Sequence, residues 1–370
     1  MAGPHSYSSS GDCDFRPDSI PANQAKGNTL KFGVYIDFRN PPRWPQQDQV
    51  LYAENIELAR HAEELGFEAA WVSEHHFSHD GYAPSPLVIG AALAQATNEM
   101  RIGTAVAVLP LYNALRFAED TAVLDVISAG RLEVGVGIGW RSDEFKAFGV
   151  PLRERGKRTD AAIDLIRQLW SGQPLPHASG SDGSEPEMRL APRPIQSPGP
   201  RIWIGGSSRA ALRRAARRGD GIIVSGYCAA MRDAYREQLV DAGRDPNIAR
   251  VASNLRWFMV SDDPERTFHI AAPYVLNWYN HYAAWGLTLE QEPLLPVATE
   301  EDLRVRKLLT VLSPSDAIAA IQQHAAISNL EFVNIKARPP GMPIEMALDH
   351  LNIWSSEIIP HFNRKSSEVP

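Results

Sequence analysis

The feature that most constrains the fold of this 370-residue chain is an alternation of short apolar runs with longer segments of helical period. The runs are rich in β-branched residues and have the length of strands. There are eight of them: Lys31 to Phe38, Ala69 to Glu74, Arg101 to Val108, Arg131 to Ile138, Arg201 to Gly205, Gly221 to Ser225, Val251 to Val260 and Glu331 to Ala337. Between them, apolar residues recur every three or four positions, as Ile56, Ala59 and Ala62 do, which indicates helices with one buried face. The pattern predicts an α/β fold, a single (β/α)8 TIM barrel, rather than an open sheet with a dinucleotide fingerprint.

Two stretches interrupt the alternation, one after the fourth predicted strand and one after the seventh. Ser171 to Pro200 is rich in Pro, Gly and Ser, whereas Pro273 to Thr310 carries a cluster of aromatic residues. Loops of this length in a compact domain are usually functional, so both are predicted to be lids. Residues 1–29 are polar and lack the apolar core of a signal peptide, which predicts a flexible leader before a barrel domain at 30–370.

The charge and the cysteine content restrict the partners. A net charge of −7 gives no electrostatic reason to bind nucleic acid or an anionic membrane, so we expect a small-molecule ligand. Two cysteines cannot form a disulfide framework, which favours a reducing compartment and a cytoplasmic location.

The second predicted strand runs directly into Glu74, His75, His76 and Phe77. The carboxyl ends of barrel strands meet on the face that carries function, and histidine exchanges protons near neutral pH. We therefore predict His75 as a catalytic residue with Glu74 as its orienting partner; the alternative is a histidine that only caps the strand. No metal site is predicted, because His75 and His76 are consecutive and point to opposite faces of a strand.

Two further segments that could contact a ligand contain glycines. Gly135 and Gly137 leave one face of the fourth strand without side chains, which suits either a flat ligand or a tight barrel corner. The segment Gly205, Gly206, Ser207 and Ser208 opens a helix, and its amides and hydroxyls suit a phosphate, with Arg155 as a possible counter-charge. The alternative is an ordinary loop with a helix cap.

Several short motifs then fall in a familiar order: Glu74-His75-His76-Phe77, Gly103-Thr104-Ala105, Val108-Leu109-Pro110, Ala118-Glu119-Asp120, Leu124-Asp125, Gly130-Arg131 and Phe148-Gly149. With them, the chain from Phe32 to about Gly226 resembles the bacterial luciferase-like flavin-dependent monooxygenases. The resemblance implies a barrel that uses reduced FMN, supplied by a separate reductase, and O2 to oxygenate an aldehyde, ketone or similar substrate. It places His75 at a catalytic position and implies a homodimer.

The resemblance also assigns cofactor-binding residues. Ala105 and Val106 match a non-proline cis peptide beneath the flavin ring, and Arg155, Ser207 and Ser208 fall at or near phosphate-binding positions. The glycine pattern described above adds Gly137, Gly205 and Gly206 as predicted cofactor-binding residues. The predicted substrate pocket consists of Phe38, Trp140, Trp278, Tyr279 and His281.

Some positions depart from the family pattern. Ile138 stands where relatives have an arginine, and Asn113-Ala114 replaces the usual His-Pro. Gly205-Gly206 with Asp220-Gly221 also resembles relatives that transfer hydride with a deazaflavin coenzyme. Two alternatives therefore stay open: a deazaflavin-dependent oxidoreductase and a non-catalytic flavin-binding paralogue.

Overall fold

The fold is described by a computed structural model for residues 30–175, 187–289, 292–327 and 330–363. The predicted leader, 1–29, and part of the first predicted lid, 176–186, lie outside these described residues.

Parallel strands form a closed ring. They are β1 (Lys31–Ile36), β2 (Ala69–Val72), β3 (Arg101–Thr104) with its continuation β4 (Ala107–Val108), β5 (Leu132–Gly137), β6 (Arg201–Gly205), β7 (Gly221–Ser225), β8 (Val251–Asn254) and β13 (Leu330–Lys336). The pairings run in the order β3, β2, β1, β13, β8, β7, β6, β5 and β4, and a further pairing of β3 with β5 closes the ring. The predicted eight-stranded (β/α)8 barrel is confirmed.

Helices surround the ring. They are α1 (Asp48–Glu64), α2 (Pro86–Ala96), α3 (Ala114–Ile127), α4 (Ser142–Ala147), α5 (Arg155–Trp170), α6 (Arg209–Arg218), α7 (Ala229–Asp241), α8 (Pro264–Ala284), α9 (Glu300–Val305), α10 (Pro314–Ala326), α11 (Ile344–Ile353) and α12 (Ile359–Asn363), with a π-helical turn at Trp354–Ile358. Asn113 begins α3 by accepting hydrogen bonds from the amides of Leu115 and Arg116, as an N-cap residue does. None of the helices in the described ranges is both long and apolar enough to span a membrane.

Two of the predicted strands are interrupted. The third breaks at Ala105 and Val106, whose peptide bond is cis as the resemblance implied. The seventh breaks after Asn254, because its second half, β9 (Trp257–Val260), leaves the barrel and pairs in parallel with β12 (Leu309–Leu312). A continuous run of apolar residues does not reveal such a change of partner.

The second predicted lid was predicted as a long loop, but its first part is helical. Its aromatic residues lie on α8, a 21-residue helix that contains Pro273 in its interior, and two short strands follow, β10 (Thr288–Leu289) and β11 (Glu292–Pro293). An internal proline costs a helix about 3 kcal/mol, so the sequence favoured a helix end there. Packing of Phe268, Val275 and Tyr282 against the core outweighs that cost.

The interior of the barrel is filled in layers. Trp71, Trp203 and Phe332 contact one another edge to face across the middle. At the amino-terminal end of the strands, Glu133 is fully buried and paired with Arg101 and Arg201. The opposite end, where the strands finish, contains the candidate site.

Candidate functional site

His75 is held by a glutamate that lies 69 positions further along the chain. Its Nδ1 is 3.0 Å from Oε1 of Glu144, in α4. The same oxygen accepts hydrogen bonds from the amide of His76 at 2.9 Å and from Nη1 of Arg141 at 3.2 Å. Because the amide of His76 and Arg141 both donate to this oxygen, it is an acceptor, so Nδ1 of His75 is assigned as a donor and Nε2 is left as the free ring nitrogen.

Four aromatic rings surround the imidazole of His75. Their centroids lie between 4.8 and 6.0 Å from that of His75, and the rings belong to Tyr82, Trp140, Tyr282 and Trp285. The guanidinium of Arg141 stacks on Trp285 at 3.9 Å. We call these four rings the aromatic box; they place the free nitrogen of a buried histidine in an apolar, water-excluding environment.

The predicted pairing of Glu74 with His75 was wrong. Glu74 is fully buried, and its Oε1 lies 2.6 Å from Nε2 of His76. Its Oε2 accepts from the amide of Val108 and from the hydroxyl of Tyr112, both at 2.9 Å. Consecutive residues leaving a strand point to opposite sides, so Glu74 and His75 diverge, and Glu74 instead ties β2 to β4.

A bulge beside β2 carries Ala105 and Val106. The amide of Ala105 donates to the carbonyl of Val72 at 2.7 Å, and its own carbonyl accepts from the hydroxyl of Tyr35. Burial raises the pKa of Tyr35 well above its usual value, so the phenol remains a donor. The bulge therefore lies next to the strand end that carries His75.

The glycines of β5 and β6 make room for this bulge. A Cβ on Gly137 would lie 2.6 Å from Cγ2 of Val106, and one on Gly205 would lie 2.7 Å from Cγ1 of the same residue. At Gly135 the obstacle would be the carbonyl oxygen of Thr104, at 1.9 Å. The face of β5 that lacks side chains is thus covered by protein, and any flat ligand would contact Val106 rather than Gly137.

The predicted phosphate loop lies at the start of α6. Gly206 has a φ of +117°, which favours glycine, and Ser207 is exposed. The side chain of Ser208 accepts from the amide of Ala211, so the expected alternative, a helix cap, is what this hydroxyl does here. A helix start of this kind is still the end of a helix that favours an anion.

Arg155 begins α5, which follows the neighbouring strand of the barrel. Its Nη1 donates to the carbonyl of Leu152 at 3.1 Å, while its Nε is buried and has no hydrogen-bond partner among the described residues. Arg214 joins the two helices by bonding to Asp160 and to the carbonyl of Gly156. Both helix starts therefore lie at the same end of the barrel.

The residues of the predicted pocket separate into two groups. Trp140 belongs to the aromatic box, and His281 lies at its edge, stacked on His79 and facing Trp285. Phe38 and Tyr279 are 1% and 3% exposed: Phe38 packs on Tyr52, and Tyr279 donates to the carbonyl of Leu308. Both belong to the hydrophobic core, and neither ring is among the four next to His75. Trp278 lies between the two groups, against Tyr282.

Buried charges lie beside the box. Arg39 is 1% exposed, pairs with Asp37 at 3.1 Å, and has its guanidinium 4.7 Å from the ring of Tyr82. Burial lowers the pKa of His281 to about 4, against the opposing charge of Asp80 at 3.5 Å, so this imidazole is neutral at pH 7. Within the described ranges, no group of three or more His, Cys, Asp or Glu residues is arranged to hold a metal ion.

Five residues next to the candidate site were not predicted from the sequence: Glu144, Arg141, Tyr82, Tyr35 and Arg39. Glu144 lies four residues before Phe148-Gly149, one of the motifs of the resemblance, which was the available signal for it. Tyr35 lies within β1, and Arg39, Tyr82 and Arg141 follow strands at positions that no spacing rule distinguishes from ordinary loop residues.

Comparisons with known proteins identify the family and the fold. A family model described as luciferase-like monooxygenase matches residues 30–322. The oxygenase component of the flavin-dependent trigonelline monooxygenase of Acinetobacter baylyi is 28% identical over 282 residues, covering 74% of this chain and 77% of that protein. The F420-dependent glucose-6-phosphate dehydrogenase of Amycolatopsis mediterranei is 27% identical over 301 residues, covering 75% and 87%. The crystal structure of the monooxygenase RslO1 from Streptomyces bottropensis superimposes with a TM-score of 0.75 at 25% identity, covering 90% of this chain and all of that one.

Proposed function

Because this chain belongs to the luciferase-like monooxygenase family, we propose that it uses reduced FMN and O2 to oxygenate a small organic substrate such as an aldehyde or a ketone. The observation that carries the proposal is His75, oriented by Glu144 inside the aromatic box and next to the Ala105–Val106 bulge. A histidine with one fixed and one free ring nitrogen can move a proton to or from a substrate.

The residues present suit FMN at both of its ends. Val106 is half-buried and offers an apolar surface at the mouth, on which a flat ring can lie. The unpaired Nε of Arg155 and the first turn of α6 supply donors for the phosphate at the same end of the barrel. When bound there, reduced FMN would supply the electrons for activating oxygen.

The chain's own residues supply proton transfer, orientation and exclusion of water. Nε2 of His75 holds or gives up the proton, and Glu144 keeps the ring in one tautomer. The four rings of the box keep bulk water from the reacting groups. The hydroxyl of Tyr35 fixes the carbonyl of Ala105 and so supports the bulge.

The test is anaerobic titration with reduced FMN, followed by mixing with oxygen and a panel of aldehydes and ketones, with ¹⁸O₂ incorporation read by mass spectrometry. We expect His75→Ala to lower product formation by about 10²-fold and to leave the Kd for FMN unchanged. His361→Ala, at an exposed position on α12, is the matched control. Unchanged oxygenation by His75→Ala would contradict the role of His75.

A deazaflavin-dependent oxidoreductase is the second candidate. It is favoured by the similarity to the F420-dependent dehydrogenase and by a helix start that would bind either coenzyme's phosphate. This candidate needs no oxygen. Tight binding of the deazaflavin coenzyme with anaerobic substrate reduction, and no affinity for FMN, would replace the first proposal with this one. Flavin binding without turnover on any substrate would favour a non-catalytic paralogue.

We further propose that a separate reductase supplies the reduced FMN, since the Acinetobacter relative is named as the oxygenase component of its system. The two proteins would share the cytoplasm, which the low cysteine content favours. Product formation should therefore depend on an added NAD(P)H:flavin reductase or on chemically reduced FMN.

A homodimer through α2 and α3 is proposed from the outer face of these helices. Val88, Val123 and Ile127 are 71%, 41% and 38% exposed there, around a groove of about 550 Å³. Arg116, Glu119 and Asp120 lie on the same groove, so a two-fold axis can bring opposite charges together. Light scattering should give twice the chain mass, and Val123→Asp should give the monomer.

A further inference from the structure

The last strand of the barrel ends in a lysine at the mouth. Lys336 closes β13 and is in register with Tyr35 of β1, whose hydroxyl supports the bulge. Side chains alternate along a strand, so Lys336 shares the inward face of β13 with Asn334 and Phe332. Phe332 packs against Trp71 and Trp203 inside the barrel. The side chain of Lys336 therefore enters the mouth rather than the layer of helices.

The ammonium group of Lys336 lies beside two aromatic rings and has no counter-ion among the described residues. Its Nζ lies 5.3 Å from the centre of Trp257 and 5.6 Å from that of Trp278. One of its three hydrogens is donated to the carbonyl of Leu255 at 3.1 Å, and no carboxylate in the described part of the chain lies within ion-pair distance. The nearby charge of Asp37 is bound by Arg39 through both oxygens. Burial lowers the pKa of Lys336 to about 8, with Asp37 opposing the shift.

The two indoles beside the ammonium also have donors without acceptors. Trp257 is 1% exposed, and neither its Nε1 nor the buried Nε1 of Trp278 has a hydrogen-bond partner in the described part of the chain. The two rings meet edge to face with centroids 5.8 Å apart. A buried donor without a partner costs about 1–3 kcal/mol, and an unpaired buried cation costs more. The cluster thus contains a cation and two N–H donors but a single acceptor, the carbonyl of Leu255.

We propose that Lys336, Trp257 and Trp278 form a subsite that binds an oxyanion of the substrate, and that the substrate is accordingly a carboxylic acid in its ionised form. This inference rests on the proposed function, since it names the substrate class of the same site. A carboxylate has two oxygens that accept only, which matches a cluster that contains a cation and two N–H donors without acceptors. An amide or an alcohol brings donors of its own and no charge.

The subsite is connected to His75 through one side chain. The ring of Tyr282 lies 4.3 Å from that of Trp278 and 5.9 Å from that of His75. A substrate anchored by its carboxylate at Lys336 therefore extends along Tyr282 towards the aromatic box. Lys336 fixes the position of the substrate, whereas His75 transfers its protons.

The test compares acids with their uncharged amides, using benzoate against benzamide and octanoate against octanamide. Binding to the purified protein, with and without FMN, is followed by calorimetry and by tryptophan fluorescence, which Trp257 and Trp278 should report. We expect each acid to bind at least about tenfold tighter than its amide, a typical effect of a charge-assisted hydrogen bond. Lys336→Met should bring this ratio to about one, and Lys336→Arg, which keeps the charge, should retain it.

Lys31→Met is the matched control. Lys31 is on β1 beside Phe332, about 13 Å below the level of Lys336 at ~3.3 Å per residue, so its loss removes the same charge from the other end of the barrel. Equal binding of acid and amide by the wild type, a preference that survives Lys336→Met, or an equal loss in Lys31→Met would each overturn the subsite. Acid preference without any affinity for FMN would overturn the proposed function and leave the subsite standing.

Discussion

The two ends of the barrel differ in whether their buried charges have partners. At the amino-terminal end, Glu133 accepts from Arg101, Arg201 and the indole of Trp203, and Arg201 also reaches Glu331 at 2.5 Å. At the mouth, Lys336 has no ion-pair partner within the described residues, and the indoles of Trp257 and Trp278 have no acceptor.

The difference separates stability from function. A buried charge with all its partners holds strands together, and its environment is complete without a ligand. A buried charge with free donors keeps its desolvation cost until something else supplies the acceptor. Removing the charge of Glu133 should therefore destabilise the folded protein, whereas removing the charge of Lys336 should stabilise it.

The largest effect is expected from Glu133→Gln. Two arginines would be left beside a neutral amide in a fully buried position, which should lower the free energy of unfolding by about 3–5 kcal/mol. Urea unfolding followed by circular dichroism measures this. Glu57→Gln, in an exposed pair with Arg60 on α1, should leave the midpoint unchanged. A loss below about 1 kcal/mol at Glu133 would remove the distinction between the two ends.

The next effect concerns a charge network at the mouth that is complete without a ligand, around Glu144. Glu144→Gln should lower turnover by about 10²-fold with little change in the KM of the substrate, because the tautomer and the orientation of His75 are no longer fixed. The double variant with His75→Ala should be no slower than His75→Ala alone. Additive losses would show that Glu144 acts independently of His75.

A smaller effect tests the histidines buried in the body of the protein and at the mouth. Burial lowers the pKa values of His281, His324 and His350 to about 4, below the ordinary value of 6.5. The unfolded chain then binds more protons, so stability that is present above pH 6.5 is lost as the pH falls towards 4. Each histidine contributes about 1.4 kcal/mol per pH unit in that range.

His350→Gln isolates one of these contributions. His350 accepts from the amide of Val260 at 3.0 Å, a bond that a glutamine oxygen can replace without titrating. The slope of unfolding free energy against pH between 6.5 and 4 should become shallower by about one histidine's share. An unchanged slope would mean that His350 is already neutral in the unfolded chain or charged in the folded one.

The smallest expected effect has the opposite sign. Lys336→Met should raise the free energy of unfolding by about 1 kcal/mol, because it removes a buried cation that lacks a counter-ion. Urea unfolding at pH 7 measures the gain, which should accompany the loss of acid binding. If Lys336→Met instead lowers the stability as much as Glu133→Gln does, Lys336 has a structural role like that of Glu133.

Much of the barrel could be predicted from the sequence because strand runs and helical periods are local. The positions of β1, β2, β6 and β7 agree with prediction to within two residues. The family resemblance, and not the local pattern, predicted the bulge at Ala105–Val106. The exit of β9 towards β12 and the helix through Pro273 could not be predicted, since both depend on packing between distant segments.

The site was predicted in its location but not in its connections. His75 lies where it was expected, yet its partner is Glu144 and not the adjacent Glu74, because the direction in which each side chain leaves the strand decides the pairing. Lys336, Trp257 and Trp278 come together from three elements, and no spacing in the sequence relates them.

The packing of Val106 against Gly137 and Gly205 also limits the order in which this enzyme can change over generations. A methyl group at either glycine would lie within 2.7 Å of Val106, so an alanine there is disfavoured while the valine is present. If position 106 first becomes alanine, the same replacement becomes acceptable. The three positions therefore form an epistatic set. Variants of this barrel should have glycine at 137 and 205 when residue 106 is branched, and should accept larger residues at 137 and 205 when residue 106 is small.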